Sequence, residues 1–186
     1  MDLVEQARRV SEDVLARTLP RRWRHVEAVA AKARRAEVIL PEGQRAILLA
    51  AAWLHDVGYS PDIKSSGLHA LDGARWLRRY GFNERIAGLV AYHSCAIFEA
   101  EERGLDEELR AEFSDEDSAL RDTLWYADMT TGPDGQEFQV IERLAEIRSR
   151  YGNGHLVTRF WARAESTLID AVRRTEERLE QHHYPM

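Results

Sequence analysis

Four histidines and two aspartates interrupt the apolar faces of the helices that this 186-residue sequence predicts. These residues are His25, His55, Asp56, His69, His93 and Asp128. Imidazole and carboxylate groups bind divalent first-row metal ions, and the single cysteine excludes a thiolate zinc site. Burial of an unpaired carboxylate is costly, so two inward aspartates need a compensating charge. A divalent cation supplies that charge, and the residue types therefore predict a metal centre.

His55 and Asp56 are adjacent, and they follow directly on an apolar segment. Neighbours on a regular helix point about 100° apart, so both can reach one ion only where the helix ends. The carboxylate of Asp56 has two oxygens and can therefore bridge two ions. The pattern predicts two sites that share Asp56. The first consists of His25, His55, Asp56 and Asp128, and the second consists of Asp56, His69 and His93.

Helical periodicity dominates the chain, and it defines the elements that must position these side chains. Predicted helices cover 3–15, about 23–35, 41–54, 67–80, 83–93, 116–128, 136–150 and 155–180. The segment 46–54 is apolar on every side, which predicts a central buried helix, and Gly58 is expected to supply a left-handed stop after it. Alternating polarity and hairpin signals are absent. The predicted fold class is all-α, a helical bundle.

The chain length and the lack of a linker predict a single domain over 1–186. The metal-site core covers 23–132, and C-terminal helices over 136–182 are expected to pack on it. The longest apolar run is nine residues, shorter than the ~20 that cross a bilayer. The N-terminus does not resemble a secretory leader, and one cysteine excludes a disulfide framework. We therefore expect a cytoplasmic protein without membrane contact, and a homodimer is compatible with the sequence.

Acidic residues concentrate in one segment, residues 99–117, which contains ten acids and two arginines. Such a block is typical of a solvated, flexible stretch, and a mobile flap beside a pocket is the alternative. The net charge of the whole chain is −6, and outside this segment acids and bases are nearly balanced. The sequence therefore lacks the basic field that a nucleic acid as main partner would require.

The constellation resembles the HD superfamily of metal-dependent phosphohydrolases. The resemblance rests on His25, on the pair His55-Asp56 within WLHDVGY and on Asp128 within YADMTTG. His69 and His93 are the additional histidines of the dinuclear branch of that superfamily. The segments LHALDGARWL, VAYHS and YAD are similar to bacterial symmetrical diadenosine tetraphosphate hydrolases. The resemblance implies that these six residues bind two divalent ions, which could be Fe, Mn, Co or Ni.

Several branches of the superfamily follow the dyad with a lysine, whereas this chain has Tyr59. Lys64, five residues further on, could contact a substrate phosphate from the same loop, or it could be a solvated surface lysine. Three arginines precede the first histidine, and they are expected to form a solvated helix start, with phosphate contact as the alternative. They are Arg21, Arg22 and Arg24.

Two divalent ions can share a bridging hydroxide and neutralise phosphoryl oxygens. The resemblance therefore implies hydrolysis of a phosphoester or phosphoanhydride, with Asp56 in the catalytic role. The implied partner is a small phosphorylated metabolite, in particular a nucleotide. One alternative is a mixed-valent di-iron oxygenase such as myo-inositol oxygenase, since histidines and carboxylates suit iron as well. A second alternative is a non-catalytic nucleotide-binding sensor.

Overall fold

Helices and their connecting loops make up the computed structural model, which describes residues 1–151 and 154–183. The α-helices are α1 (Leu3–Leu15), α2 (Pro20–Ala36), α3 (Glu42–Leu54), α4 (His69–Tyr80), α5 (Glu84–Ala91), α6 (Ala96–Arg103), α7 (Asp106–Glu112), α8 (Ala119–Met129), α9 (Val140–Tyr151) and α10 (Leu156–His183). Short 3₁₀ helices cover Glu37–Ile39, Val57–Tyr59 and His93–Cys95. One isolated antiparallel bridge joins Thr131 to Glu137, and the described residues contain no strand. The predicted all-α fold class is confirmed.

Helix α3 lies at the centre of the bundle and packs against α1, α2, α5 and α8. Its residues 48–52 are all buried, although a helix on the surface of a protein would expose every third or fourth position. An apolar sequence on all sides of a helix favours this complete burial, as the sequence predicted. Because α3 ends at Leu54, the pair that follows it emerges in the middle of the molecule.

Helix α10 packs on α6, α8 and α9 and covers one side of the bundle. A buried ion-pair cluster attaches it to α8, where Asp122 is 2% exposed. The Asp122 carboxylate accepts hydrogen bonds from Arg174 at 2.8 Å and from Arg178 at 3.1 Å. Burial of this carboxylate is tolerated because both guanidinium groups lie beside it. None of the described helices is both long and apolar enough to cross a membrane.

The acidic segment 99–117 is largely helical, whereas its charge pattern was interpreted as a solvated, flexible stretch. It contains the end of α6 and the whole of α7. Arginines from other elements pair with its acids: Arg75 Nε lies 3.0 Å from Glu112, and Arg85 Nε lies 2.7 Å from Glu116. These partners offset the like-charge repulsion that a sequence window detects. The pairs join residues more than thirty positions apart, so periodicity within the segment could not indicate them.

The predicted helix over 83–93 ends early, because the chain turns sharply beyond Ala91. Ser94 and Cys95 both have left-handed backbone conformations, with φ values of 46° and 62°. Non-glycine residues pay of order 1–3 kcal/mol for such conformations, so the surrounding structure must enforce them. His93 therefore lies in a 3₁₀ turn rather than on a regular helix, and its direction is set by this turn.

Gly58 does not act as the left-handed stop that the sequence predicted. Among the described glycines, positive φ values occur at 67, 81, 104 and 135 only. Gly58 is required instead for a close approach between main chains. A Cβ atom at this position would lie 1.9 Å from the carbonyl oxygen of His69 and 2.7 Å from the nitrogen of Gly73. The turn after α3 thus packs directly on the first turn of α4, which brings His69 towards the dyad.

We expect Gly58→Ala to lower the free energy of unfolding by about 3 kcal/mol or more, because the new methyl group meets main-chain atoms. Urea denaturation followed by circular dichroism measures this change. Gly43→Ala is the matched control, since a Cβ at Gly43 meets nothing within 4 Å. That control should be neutral or more stable by about 0.5–1 kcal/mol. Equal stability of the two variants would contradict the close approach at Gly58.

Candidate metal centre

The six polar residues singled out by the sequence converge at the centre of the bundle, although they come from separate elements. His25 lies on α2, His55 and Asp56 follow α3, His69 begins α4, His93 begins the turn after α5, and Asp128 lies in the last turn of α8. Five of them are buried, whereas the side chain of His69 is 15% exposed. The structure therefore places all six around one point and leaves one edge open.

The six residues form two groups. The first group consists of His25, His55 and Asp128, and the second group consists of Asp56, His69 and His93. Within each group, one ligand atom from each residue lies within 4.8 Å of the others. Ligands on opposite sides of a metal ion with bonds of about 2.1 Å lie about 4.2 Å apart. Each group is therefore close to the size that a divalent cation requires.

The Asp56 carboxylate faces both groups at once. Its Oδ2 lies 3.3 Å from Nε2 of His55 and 3.8 Å from Nε2 of His25. Its Oδ1 lies 3.6 Å from Nε2 of His69 and 3.8 Å from Nε2 of His93. Each oxygen is thus directed at a different histidine pair. This arrangement is the one that a carboxylate shared between two ions needs.

Backbone carbonyl groups orient three of the four histidine rings. The Nδ1 atoms of His25, His55 and His93 lie 3.0, 2.8 and 2.6 Å from the carbonyl oxygens of Gly132, Ala52 and Val90, respectively. A carbonyl oxygen only accepts, so each Nδ1 donates its proton, and the Nε2 of a neutral ring presents a lone pair to the centre. This second contact is typical of metal-binding histidines.

The Nε2 atom of His55 is buried and makes no hydrogen bond of good geometry, although Oδ2 of Asp56 lies 3.3 Å away. An unsatisfied buried polar atom costs about 1–3 kcal/mol, and a cation bound to the lone pair would remove that cost. The donor set of imidazole nitrogens and carboxylate oxygens also suits Fe, Mn, Co and Ni. The residues present therefore fit a divalent metal ion.

Both carboxylates are held in the charged form. Burial raises the pKa of Asp56, but Arg22 and His55 outweigh this effect and hold the pKa well below its usual range. Burial also raises the pKa of Asp128, and the contacts with His25 and His55 lower it below the ordinary value. Metal ligands must be deprotonated, and these two carboxylates meet that condition at neutral pH.

The histidines of the second group are neutral near pH 7. Burial and the neighbouring ring of His93 lower the pKa of His69 well below its ordinary value, and burial also lowers the pKa of His93. His55 differs: burial lowers its pKa, but the Asp56 carboxylate overrides this effect and raises the pKa to about 9. A cation in the first group therefore competes with a proton on His55.

The turn after α5 and the loop after α8 hold Asp128 and His25 in position. The hydroxyl group of Ser94 donates a hydrogen bond to Oδ2 of Asp128, while Oδ1 lies 3.0 Å from Nε2 of His25. The loop after α8 closes on itself through Phe138 N, which donates to Thr130 O at 3.0 Å. This loop includes the carbonyl group that orients His25. The strained turn after α5 and the loop after α8 thus hold the candidate ligands in place.

A cavity of about 320 Å³ opens onto the second group and is bordered by Asp56, His69, His93 and Asp128. Lys64 is exposed at its edge and has no ion-pair partner among the described residues. The far wall comes from α6, α9, α10 and the residue before α10. Its polar and aromatic members include Glu99, Arg103, Arg143, Arg150, Tyr151, His155, Phe160 and Trp161. The sequence did not identify this wall, because periodicity shows which face turns inward but not which helices border the same cavity.

The three arginines before His25 have different roles. Arg21 and Arg24 are exposed and pair with Asp134 at 2.8 and 3.2 Å, so the prediction of a solvated helix start is confirmed for these two. Arg22 borders the cavity instead, and its Nη1 lies 2.8 Å from Oδ2 of Asp56. For Arg22 that prediction is wrong. Residues three apart share one face of a helix, and this spacing from the first histidine was the available signal.

Arg22 also contacts an aromatic ring. Its guanidinium carbon lies 4.1 Å from the ring centroid of Tyr59. The ring of Tyr59 in turn stacks on His69 with a centroid distance of 4.0 Å. A guanidinium group, a phenol ring and a candidate metal ligand thus form one stack at the edge of the cavity.

Comparison of the sequence with models of protein families gives one match. The family model described as HD domain matches residues 22–123, which is more than half of the chain. The matched range includes five of the six converging residues, and Asp128 lies shortly beyond its end. Comparisons with curated proteins and with solved structures give no match.

Proposed function

Because the chain belongs to the HD domain family, we propose that it is a metal-dependent phosphohydrolase that uses two divalent cations. The observation that carries this proposal is the Asp56 carboxylate, whose two oxygens face different histidine pairs. In the proposal, Asp56 is the shared ligand and the catalytic carboxylate. The proposed ligand set is His25, His55, Asp56, His69, His93 and Asp128.

When bound, two divalent cations lower the pKa of a water molecule between them and offset charge on phosphoryl oxygens. The chain's own residues hold that arrangement. Asp56 and Asp128 remain charged, and the carbonyl of Gly132 and the hydroxyl of Ser94 keep His25 and Asp128 in fixed orientations. Fixed ligands of this kind reduce the reorganisation that the reaction requires.

The cavity favours a small phosphorylated substrate, in particular a nucleotide. Its volume of about 320 Å³ lies at the lower end of the usual range for small-molecule sites, about 300–1,000 Å³. Phe160 and Trp161 give its wall aromatic surface, against which a planar base could pack. Lys64 and Arg150 add positive charge at the border, where we propose that Lys64 contacts a phosphate group. A partner of this size and chemistry suits the site better than a nucleic acid.

The test is hydrolysis by protein loaded with Mn²⁺, Co²⁺ or Fe²⁺. An aryl phosphate and a panel of nucleotides are incubated with and without O₂, and released phosphate and O₂ consumption are measured. We expect phosphate release that requires the metal and is independent of O₂. Substrate-dependent O₂ uptake without phosphate release would establish the oxygenase alternative. Tight nucleotide binding without turnover would establish the sensor, and either result would overturn the proposal.

A further inference from the structure

The contacts of Arg22 assign it a role that the candidate metal ligands do not supply. We infer that Arg22 binds the phosphate group of the substrate, and that Tyr59 holds its guanidinium group at the edge of the metal centre. This inference rests on the proposed function, because it names the residue that holds the charged part of that substrate.

Arg22 has hydrogen-bonding capacity to spare. Its side chain is 31% exposed, and its described hydrogen bond runs from Nη1 to Asp56. A guanidinium group has five N–H donors in a planar fork, so most of its donors are available to a ligand in the cavity. The planar fork matches two oxygens of one phosphate group, and this geometry distinguishes arginine from lysine.

Tyr59 gives this guanidinium group a fixed surface. The Tyr59 ring lies against the guanidinium group of Arg22, and it stacks nearly parallel to the ring of His69 with an interplanar angle of 19°. The ring follows directly on Gly58, whose close approach to α4 fixes the turn. A cation over an aromatic face is attracted without any hydrogen-bond donor being used. The stack therefore positions Arg22 while leaving its N–H groups available.

When metal ions and substrate are bound, the balance of charge favours a phosphate group rather than Asp56 as the hydrogen-bond partner of Arg22. Two divalent cations carry four positive charges, whereas the ligand set includes only two carboxylates, Asp56 and Asp128. Once the cations engage the Asp56 oxygens, Arg22 is an additional positive charge beside a positive centre. A dianionic phosphate in the same cavity supplies the missing negative charge. Arg22 then donates to the phosphate oxygens.

Inorganic phosphate is the probe for the test, and its binding to Mn²⁺-loaded protein is measured by isothermal titration calorimetry. We expect Arg22→Gln to weaken phosphate binding at least tenfold, while Mn²⁺ affinity stays equal or increases. Arg22→Lys keeps the charge but lacks the planar fork, so its phosphate affinity should lie between those of the wild type and Arg22→Gln. Tyr59→Phe should retain phosphate binding because the ring remains, whereas Tyr59→Leu should weaken it. Arg21→Gln is the matched control, since Arg21 pairs with Asp134 outside this cavity.

Two results would overturn the inference. Arg22→Gln could bind phosphate as tightly as Arg21→Gln does, or it could lose Mn²⁺ and phosphate affinity in parallel, which would make Arg22 a positioning residue for Asp56. Circular dichroism melting curves show whether each variant is folded. If Arg22→Gln does not fold, the phosphate affinity of Arg22→Lys tests the inference instead. The titration does not depend on turnover. A wild-type protein that binds phosphate through Arg22 but hydrolyses nothing would overturn the proposed function and support this inference.

Discussion

Replacing Asp56 with asparagine is expected to reduce kcat on the order of 1,000-fold or more in Mn²⁺-loaded protein. Asparagine preserves the size of the side chain but offers one oxygen and one NH₂ group, so it cannot place an oxygen towards each histidine pair. The two oxygens of Asp56 lie 3.3 Å from His55 and 3.6 Å from His69. The measurement is steady-state phosphate release together with metal content.

The same substitution should destabilise the metal-free protein. The pKa of Asp56 is held below its ordinary value, so its charge contributes stability that is present above the unfolded-state pKa of about 3.9 and is lost as the pH falls through the folded-state pKa. Asparagine removes that contribution at pH 7 and leaves Arg22 without a negatively charged partner at this position. We therefore expect a lower melting temperature for Asp56→Asn at pH 7.

Asp122→Asn is the control for Asp56→Asn. Asp122 is also buried and paired with arginines, but its partners Arg174 and Arg178 attach α10 to α8. This variant should lose stability while each folded molecule keeps nearly normal kcat. Similar losses of kcat per folded molecule in Asp56→Asn and Asp122→Asn would show that Asp56 acts through the fold rather than through the site.

The sequence predicted the inward residues because the buried face of a helix carries apolar residues at regular spacing. An aspartate or histidine in an apolar stripe is conspicuous, and His25 and Asp128 were identified for that reason. The continuous apolar sequence of 46–54 likewise predicted the central position of α3. The spacing of apolar residues depends on a single helix, so it can be recognised without knowledge of the neighbouring helices.

Features that depend on contacts between distant residues were missed. The ion pair between Arg75 and Glu112 joins the acidic segment to α4, and the approach of His69 to Gly58 fixes the turn after the dyad. Neither contact has a local signature. Arg22 had a local signal in its spacing from His25, but its contact with Asp56 had none, because that contact joins the start of α2 to the residues after α3. These contacts decide the shape of the cavity, and the cavity is therefore less predictable from sequence than the candidate ligands.

The second large effect concerns metal stoichiometry. Titration of metal-free protein with Mn²⁺ is expected to give two ions per chain, and His69→Gln is expected to give one. His69 belongs to the second group and is the most exposed of the six residues, with a side-chain exposure of 15%. Its loss leaves that group with His93 and one oxygen of Asp56, whereas the first group keeps all its members. Elemental analysis after gel filtration counts the ions.

His155→Gln is the matched control for His69→Gln, because His155 borders the same cavity but belongs to neither group. His155→Gln should keep two ions and the full thermal stabilisation by Mn²⁺. An ion that binds only the folded state adds about 2.7 kcal/mol at a concentration of 100 times its Kd, so loss of one ion is also visible in melting curves. Two ions in His69→Gln, or one in His155→Gln, would contradict the division into two groups. The exposed edge at His69 further implies that a chelator removes the second-group ion first.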